Sequence, residues 1–248
     1  MKSSELPKNG NVLVQLFMTQ KTTLAVSVSE VSKNSAFWNY PLPWKYGRVY
    51  VPVEKHYPAA SYAKCKEILC HMDLNKDDLA GKRVVELGTV PGGWTMVLLE
   101  QGAEVNSVDW TDLKDPWFKV HSSLRHHTMD AKIFNPVSIG ILDRSEALDY
   151  VFCDLALPPV KSVDLMEMWI QNRWAERVIW TFKMGFGHEV SHALTIRGIQ
   201  KCLAKYEPEF VCTIRHLYKH ENEVVVLGRW TDEMRARAES KKSIVKDM

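Results

Sequence analysis

One stretch of this sequence, VVELGTVPGGW at residues 84–94, constrains the fold more than any other. Its β-branched start predicts a buried strand, its glycines predict a sharp turn, and the run WTMVLLEQG predicts a helix that follows at once. Glycines at such a turn let the backbone pass close to a ligand, and the N–H groups at the helix start face that ligand. The stretch therefore predicts an α/β sheet with a ligand site at the end of this strand.

The rest of the chain repeats this alternation of strand and helix. Apolar runs that predict strands occur at 103–110, 148–156, 177–185, 210–218 and 221–230, and helical patterns lie at 61–72, 162–176 and 188–206. Strands that alternate with helices in this way predict a doubly wound α/β sheet. The last two strands are separated by only a few residues, which predicts an antiparallel pair at the sheet edge.

The start of the chain has a different pattern. Residues 11–19 and 23–29 are alternating β-branched runs joined by a short polar link, which predicts a hairpin. Proline and aromatic residues dominate 37–57 and interrupt any helix there. We therefore predict a small β-rich appendage with a proline-rich and aromatic connector at residues 1–55, and the main domain at residues 56–248.

Composition excludes several classes of protein. Hydrophobic residues make up 46% and charged residues 25% of the chain, which is too apolar for a disordered protein. No apolar run approaches the roughly 18 residues that a membrane span needs, and the first residues lack the apolar stretch of a secretion signal. The five cysteines form no CxxC pair and are expected to be reduced thiols. We therefore expect a globular, cytoplasmic protein.

An acidic residue follows the glycine turn at the spacing of a nucleoside-binding site. Asp109 ends the next strand, 21 residues beyond Gly88, where a carboxylate can accept hydrogen bonds from a ribose diol. The glycines do not have the GxGxxG spacing, which argues against a site for a dinucleotide pyrophosphate. A tight strand–helix turn with an unrelated aspartate is the alternative.

Further ionisable residues lie at the ends of predicted strands, where open α/β sheets bind their ligands. Asp154 ends one strand, Lys183 ends another, and Glu223 begins the last. Lys66 lies on the helix that precedes the first strand of the main domain. Taken singly, each fits a solvated charge. Lys183 directly follows a mostly apolar run, however, and a buried lysine without enough counter-charge has a lowered pKa and can act as a base.

Several short motifs together resemble one enzyme family. ELGTVPGGWT, SVDW, CDLA, FKMG and RHLYKHENEVVV resemble the FtsJ-type ribose 2′-O-methyltransferases, and among them the RlmM-type enzymes that modify large-subunit ribosomal RNA. The resemblance covers about residues 10–230 and is densest from Ser61 onward. It implies a Rossmann-like class I methyltransferase domain, with a mostly parallel seven-stranded sheet and an antiparallel edge strand.

The same resemblance implies a cofactor and a catalytic tetrad. The family uses S-adenosylmethionine (SAM) and a Lys-Asp-Lys-Glu tetrad, which falls here on Lys66, Asp154, Lys183 and Glu223. The candidate cofactor-binding residues are Gly88, Val90, Pro91, Gly92, Gly93, Trp94, Asp109, Asp130 and Asp154. The implied reaction is methyl transfer to a ribose 2′-oxygen of RNA. Lys183 would be the base, with its pKa depressed by Lys66 and by the positive charge of SAM.

The chain also departs from the family pattern. RlmM-type proteins carry a longer N-terminal region with an RNA-binding THUMP domain, and only the last part of that region is recognisable here. The family's SRS–K element reads Ser61-Tyr62-Ala63 ahead of Lys66. Large-subunit ribosomal RNA is therefore the first expectation, and transfer RNA or cap RNA the second. A separate RNA-binding partner and a non-catalytic RNA-assembly factor that binds the cofactor remain further alternatives.

A competing motif lies in the helix after Lys183. Residues 188–192 read HEVSH, which fits the HExxH pattern of zinc hydrolases, with Glu189 as base. A third ligand is lacking at a suitable spacing, since the nearest downstream acids, Glu207 and Glu209, lie beyond the helix. We therefore expect no metal site. The histidines at 121, 126 and 127 have no ligand spacing either and are expected in a solvated loop.

The charge of the chain is nearly balanced. Its 32 basic and 30 acidic residues give a net charge of +2, which neither favours nor excludes a nucleic-acid ligand. We expect a narrow basic groove around Lys66 and Lys183, and weak binding to arbitrary RNA.

Overall fold

The computed structural model describes residues 12–20, 23–30, 51–143, 146–184, 192–218 and 222–231. Strands β1 (Val12–Gln20) and β2 (Thr23–Glu30) pair antiparallel, which confirms the predicted hairpin. The division of the chain at residue 56 stays a prediction.

The rest of the described chain consists of helices and strands that mostly alternate. The helices are α1 (Tyr62–His71), α2 (Lys76–Leu79), α3 (Gly93–Glu100), α4 (Pro116–Lys119), α5 (Pro159–Gln171) and α6 (His192–Leu203), and a 3₁₀ turn (Ala204–Tyr206) follows α6. The strands are β3 (Arg83–Leu87), β4 (Glu104–Asp109), β5 (Leu124–Thr128), β6 (Leu148–Cys153), β7 (Ala175–Lys183), β8 (Phe210–His216) and β9 (Glu223–Trp230).

These seven strands form one sheet in the order β5-β4-β3-β6-β7-β9-β8. Strands β3 to β7 are parallel, whereas β9 is antiparallel to both of its neighbours, β7 and β8. The predicted doubly wound sheet is confirmed, and β8 and β9 form the predicted antiparallel pair. The antiparallel strand is β9, which lies between β7 and β8. The edge position is occupied by β8, which precedes β9 in the chain.

Alternate residues of each central strand contribute to two separate hydrophobic layers. Val151 packs in the layer that contains residues of α5 and α6, and Phe152 packs in the layer that contains residues of α1 and α3. Burial on both faces explains why these strands have nearly continuous apolar sequences. It also brings α1 against the same face of the sheet as α3.

The prediction of a solvated loop around the histidines is wrong for two of them. His126 and His127 lie on β5, and their rings contact polar side chains of the neighbouring β4. His126 Nδ1 is 2.8 Å from Ser107 Oγ, and His127 Nε2 is 3.1 Å from Asn106 Oδ1. These polar contacts help to stabilise the strand. Its sequence, LRHHT, therefore does not show the apolar alternation that would have predicted it.

No helix within the described ranges is long and apolar enough to cross a bilayer.

Candidate active site

A cavity of about 330 Å³ lies where β3, β4 and β6 end. Its lining residues are Gly88, Val90, Asp109, Trp110, Asp130, Ala131, Lys132, Asp154, Leu155, Ala156 and Leu157. Five of the candidate cofactor-binding residues are therefore brought together: Gly88, Val90, Asp109, Asp130 and Asp154. Pro91, Gly92, Gly93 and Trp94 are not among the lining residues. Trp94 is only 2% exposed and faces α1 instead.

The first wall of the cavity depends on a glycine. Gly88 follows β3 with a φ of +86°, a conformation that side chains disfavour. A Cβ atom at this position would lie 3.0 Å from the backbone nitrogen of Leu155, which follows β6. The ends of two adjacent strands thus come together through Gly88, and a larger residue would push them apart.

Asp109 ties the glycine turn to the end of β4. Its Oδ2 accepts a hydrogen bond from the backbone N–H of Val90 at 2.9 Å. Its Oδ1 accepts from the N–H and the hydroxyl of Thr111 at 3.1 and 3.0 Å. A carboxylate offers about four acceptor positions, so Asp109 still has capacity for a ligand hydroxyl.

The cavity is acidic and suits a cationic ligand. Asp109, Asp130 and Asp154 supply three carboxylates, while Lys132 is the basic lining residue and its Nζ is 3.1 Å from Asp130. A backbone hydrogen bond from Lys132, together with its ammonium, holds the pKa of Asp130 below its usual value. SAM carries a sulfonium, an amino group and a ribose diol, so these residues fit it: the carboxylates oppose its positive charge and accept its hydrogen bonds.

A cluster of four charged side chains adjoins the cavity at Asp154. Lys64 Nζ is 2.7 Å from Asp154 Oδ1 and 3.0 Å from Glu223 Oε2. Lys183 Nζ is 2.9 Å from Asp154 Oδ1 and 3.5 Å from Glu223 Oε1. The hydroxyl of Thr181 also donates to Asp154, at 2.8 Å. We call the residues Lys64, Asp154, Lys183 and Glu223 the lysine–carboxylate cluster.

The fold places these four residues through three strand ends and one helix. Asp154 directly follows β6, and its N–H donates to the carbonyl of Leu87 at the end of β3. Lys183 and Glu223 are paired opposite each other, because the last residue of β7 faces the first residue of β9. Lys64 lies in the first turn of α1 and is 3% exposed.

The charges of the cluster stabilise one another. Burial acts to raise the pKa of Asp154, but Lys64 and Lys183 outweigh it and hold the pKa below its ordinary value. Burial acts to lower the pKa of Lys183, but Asp154 and Glu223 outweigh it and the pKa lies above its ordinary value. The predicted depression of the Lys183 pKa is therefore wrong for the protein alone, because the counter-charge is sufficient.

The structure does not bring Lys66 to this cluster. Its Nζ is 2.6 Å from Glu54 Oε1 and 4.7 Å from the ring centre of Tyr57, on a more exposed side of α1. Lys64, which the sequence reasoning missed, has the position expected for Lys66. A carboxylate lies close to each of these ammonium groups, Glu54 beside Lys66 and Asp154 beside Lys183, and the expected basic groove around them stays a prediction.

Glu86, the acidic residue of ELG, is buried beneath the site. It is 1% exposed and its Oε2 accepts a hydrogen bond of 2.6 Å from the Thr95 hydroxyl. Burial raises the pKa of Glu86 to about 8, with a further increase from Asp154 and Asp109.

This raised pKa predicts a pH-dependent stability. Because the pKa of Glu86 in the folded protein exceeds its ordinary value of 4.5, the folded protein binds one more proton than the unfolded chain between these two pH values, and the free energy of unfolding falls as pH rises towards about 8. The loss is about 1.4 kcal/mol per pH unit, and Glu86→Gln should remove it. Chemical denaturation measures the free energy of unfolding of both proteins. We expect the value for Glu86→Gln minus that for the wild type to grow by about 2 kcal/mol from about pH 6 to about pH 8. An equal difference at both pH values would contradict the assignment.

The part of the chain that the structure describes contains no group of three His, Cys, Asp or Glu side chains that could hold a metal. The HEVSH motif lies outside the described residues except for His192, which begins α6. Its interpretation as a zinc motif is therefore untested.

Sequence comparison identifies the family. A model of the FtsJ-like methyltransferases matches residues 57–226, which is more than half of the chain and contains the cavity and the cluster. The chain belongs to the FtsJ-like methyltransferase family.

Curated relatives of this FtsJ-like methyltransferase share one name, ribosomal RNA large subunit methyltransferase M. The protein from Proteus mirabilis is 31% identical over 150 residues, which are 59% of this chain and 38% of that protein. The protein from Laribacter hongkongensis is 26% identical over 231 residues, or 90% of this chain and 60% of that protein. The protein from Alteromonas mediterranea is 28% identical over 176 residues, or 68% and 46%. The chain spans about half the length of the curated relatives it matches.

Solved structures confirm the predicted class I methyltransferase fold. Magnesium protoporphyrin IX methyltransferase from Synechocystis with bound SAM has a TM-score of 0.51 and 15% identity, over 68% of this chain and 79% of that chain. At this identity the similarity concerns the fold alone, which is the SAM-binding methyltransferase fold.

Proposed function

We propose that this FtsJ-like methyltransferase transfers the methyl group of SAM to a ribose 2′-hydroxyl of RNA, with large-subunit ribosomal RNA as the substrate. The observation that carries the proposal is the position of Asp154. This carboxylate lines the cavity and also binds Lys64 and Lys183. A ligand in the cavity and a hydroxyl group beside the lysines would thus both lie next to Asp154. The name shared by the relatives supports the choice of RNA.

The cluster has the groups that this reaction needs. A ribose hydroxyl is a poor nucleophile, and SAM supplies a methyl group activated by its sulfonium. Lys183 is the better base of the two lysines because its side chain is 20% exposed, whereas that of Lys64 is 3% exposed. In its neutral form, the Lys183 amine would take the hydroxyl proton onto Nζ.

The other residues would hold this amine and the hydroxyl in place. Glu223 contacts both lysines, with one carboxylate oxygen for each. Lys64 neutralises Asp154 and Glu223 from the buried side, so that Lys183 remains oriented when it loses its charge. Alignment of the reacting atoms would supply much of the remaining acceleration.

A methyl-transfer assay tests the proposal. Purified protein would be incubated with SAM that carries a tritiated methyl group and with large-subunit ribosomal RNA from cells that lack the protein. We expect label in the RNA, and none with fully modified RNA. Label in transfer RNA or capped RNA alone would change the substrate, and SAM binding without any transfer to these RNAs would contradict the proposed activity.

We also expect Asp109→Asn to weaken SAM binding about 10- to 100-fold, because the carboxylate charge opposes the ligand's positive charge and accepts its hydroxyls. Isothermal titration calorimetry measures this effect. The matched control is Asp164→Asn, an exposed aspartate of α5 that does not line the cavity. Wild-type affinity in Asp109→Asn would contradict the assignment of Asp109 to the cofactor.

A further inference from the structure

We propose that Trp94 is a positioning residue, which fixes the first turn of α1 and thereby the ammonium of Lys64. Trp94 follows the glycine turn, yet its indole contacts α1 rather than the cavity. Trp94 was predicted to bind the cofactor because it lies at the start of α3, beside the cavity. The effect of Trp94 on catalysis rests on the proposed function, whereas its effect on the stability of the fold does not.

The first turn of α1 depends on contacts from outside the helix. Ser61 precedes α1, but its side chain makes no capping hydrogen bond, and the first turn contains no acidic residue. The Ser61 carbonyl accepts the N–H of Lys64 at 3.0 Å and also the indole N–H of Trp94 at 2.9 Å. One oxygen atom therefore joins Trp94 to the backbone of Lys64.

Helices α1 and α3 meet at their first turns, and a glycine permits this contact. Gly93 is the first residue of α3, and a Cβ there would lie 2.7 Å from Ser61 Oγ and 3.0 Å from the nitrogen of Tyr62. The close approach places the next residue, Trp94, against Ser61.

The indole ring also approaches both the lysine and the sheet. Lys64 Nζ is 5.8 Å from the ring centre, within the range of a cation–π contact. The ring packs edge-on against Phe152 of β6, two residues before Asp154, with 6.1 Å between ring centres. Trp94 therefore contacts both the helix that carries Lys64 and the strand β6, which directly precedes Asp154, the ion-pair partner of Lys64.

A double-mutant cycle separates positioning from ordinary packing. Trp94→Phe keeps an aromatic ring but removes the N–H donor. If Trp94 acts through Lys64, the effects of Trp94→Phe and Lys64→Met on stability should not be additive. The unfolding equilibrium constant of the double variant should differ at least about threefold from the value expected from the two single variants. The control is Trp169→Phe, a fully buried tryptophan of α5 whose indole N–H has no hydrogen-bond partner among the described residues, and its effect should add to that of Lys64→Met.

Kinetics provide a second readout. We expect Trp94→Phe to lower kcat about tenfold and Trp94→Leu about 100-fold, with the KM for SAM unchanged and with both variants folded at the assay temperature. Trp169→Phe should keep the wild-type kcat. Additive stabilities in the Trp94 cycle would overturn the proposal, and so would wild-type kcat in both Trp94 variants. Absence of methyl transfer by the wild-type protein would instead reject the proposed function, and the stability cycle would still decide the role of Trp94.

Discussion

Replacing Lys183 by methionine is expected to lower the rate of methyl transfer about 10²- to 10⁴-fold while SAM affinity stays at the wild-type value. Methionine keeps most of the apolar stem and removes the amine. Asp154 and Glu223 each keep a hydrogen bond from Lys64, so neither buried carboxylate loses all of its counter-charge. The variant should therefore fold, and its defect should lie in the chemical step.

The pH dependence of the rate distinguishes a base from a packing residue. The pKa of Lys183 lies above its ordinary value, so the amine is largely protonated at neutral pH. Because only the neutral amine can accept a proton, the wild-type rate should rise about tenfold per pH unit below that pKa. Single-turnover rates at saturating SAM measure this slope. A Lys183→Met variant with the wild-type rate, or with the wild-type slope, would reject Lys183 as the base.

The second large effect is expected at Lys64, and it should distinguish this lysine from Lys66 of the same helix. We expect Lys64→Met to abolish methyl transfer and to cost about 3–5 kcal/mol of unfolding free energy, because the buried Asp154 and Glu223 would share Lys183 alone. Lys66→Met should keep nearly full activity, since its ion pair with Glu54 is partly exposed and worth about 0–1 kcal/mol.

This pair of variants is matched in chemistry and in sequence position. Chemical denaturation and single-turnover methyl transfer would be measured for both, under conditions where both are folded. Loss of activity in Lys66→Met, together with an active Lys64→Met, would return the tetrad to the assignment made from the sequence motif.

Strand ends were the part of the site that the sequence could predict. Asp154, Lys183 and Glu223 each adjoin a strongly apolar strand: the carboxyl ends of parallel strands share one edge of a sheet, and an antiparallel strand begins at that same edge. Their convergence therefore follows from the order of the elements alone. β5 was missed because LRHHT has no apolar alternation and pairs partly through histidines.

The helix residue was harder to predict, because α1 carries two polar stripes. Lys64, Glu67 and His71 are spaced three and four residues apart and share one face, while Lys66 and Cys70 share another. Only the tertiary structure decides which stripe is buried. Glu223 contacts the first stripe at Lys64, and the N–H of Tyr218 donates to Glu67 at 2.6 Å. The burial of Glu67, one turn beyond Lys64, identifies this stripe as the buried one, and the sequence alone does not show that burial.

The most direct test of the proposed ribose methylation is the chemical location of the transferred methyl group. RNA labelled by the wild-type protein would be hydrolysed in alkali, which cleaves next to a free 2′-hydroxyl but not next to a methylated one. We expect the label in alkali-resistant dinucleotides, and its loss with Lys183→Met. Label in mononucleotides, as methylated bases, would contradict 2′-O-methylation by the lysine–carboxylate cluster.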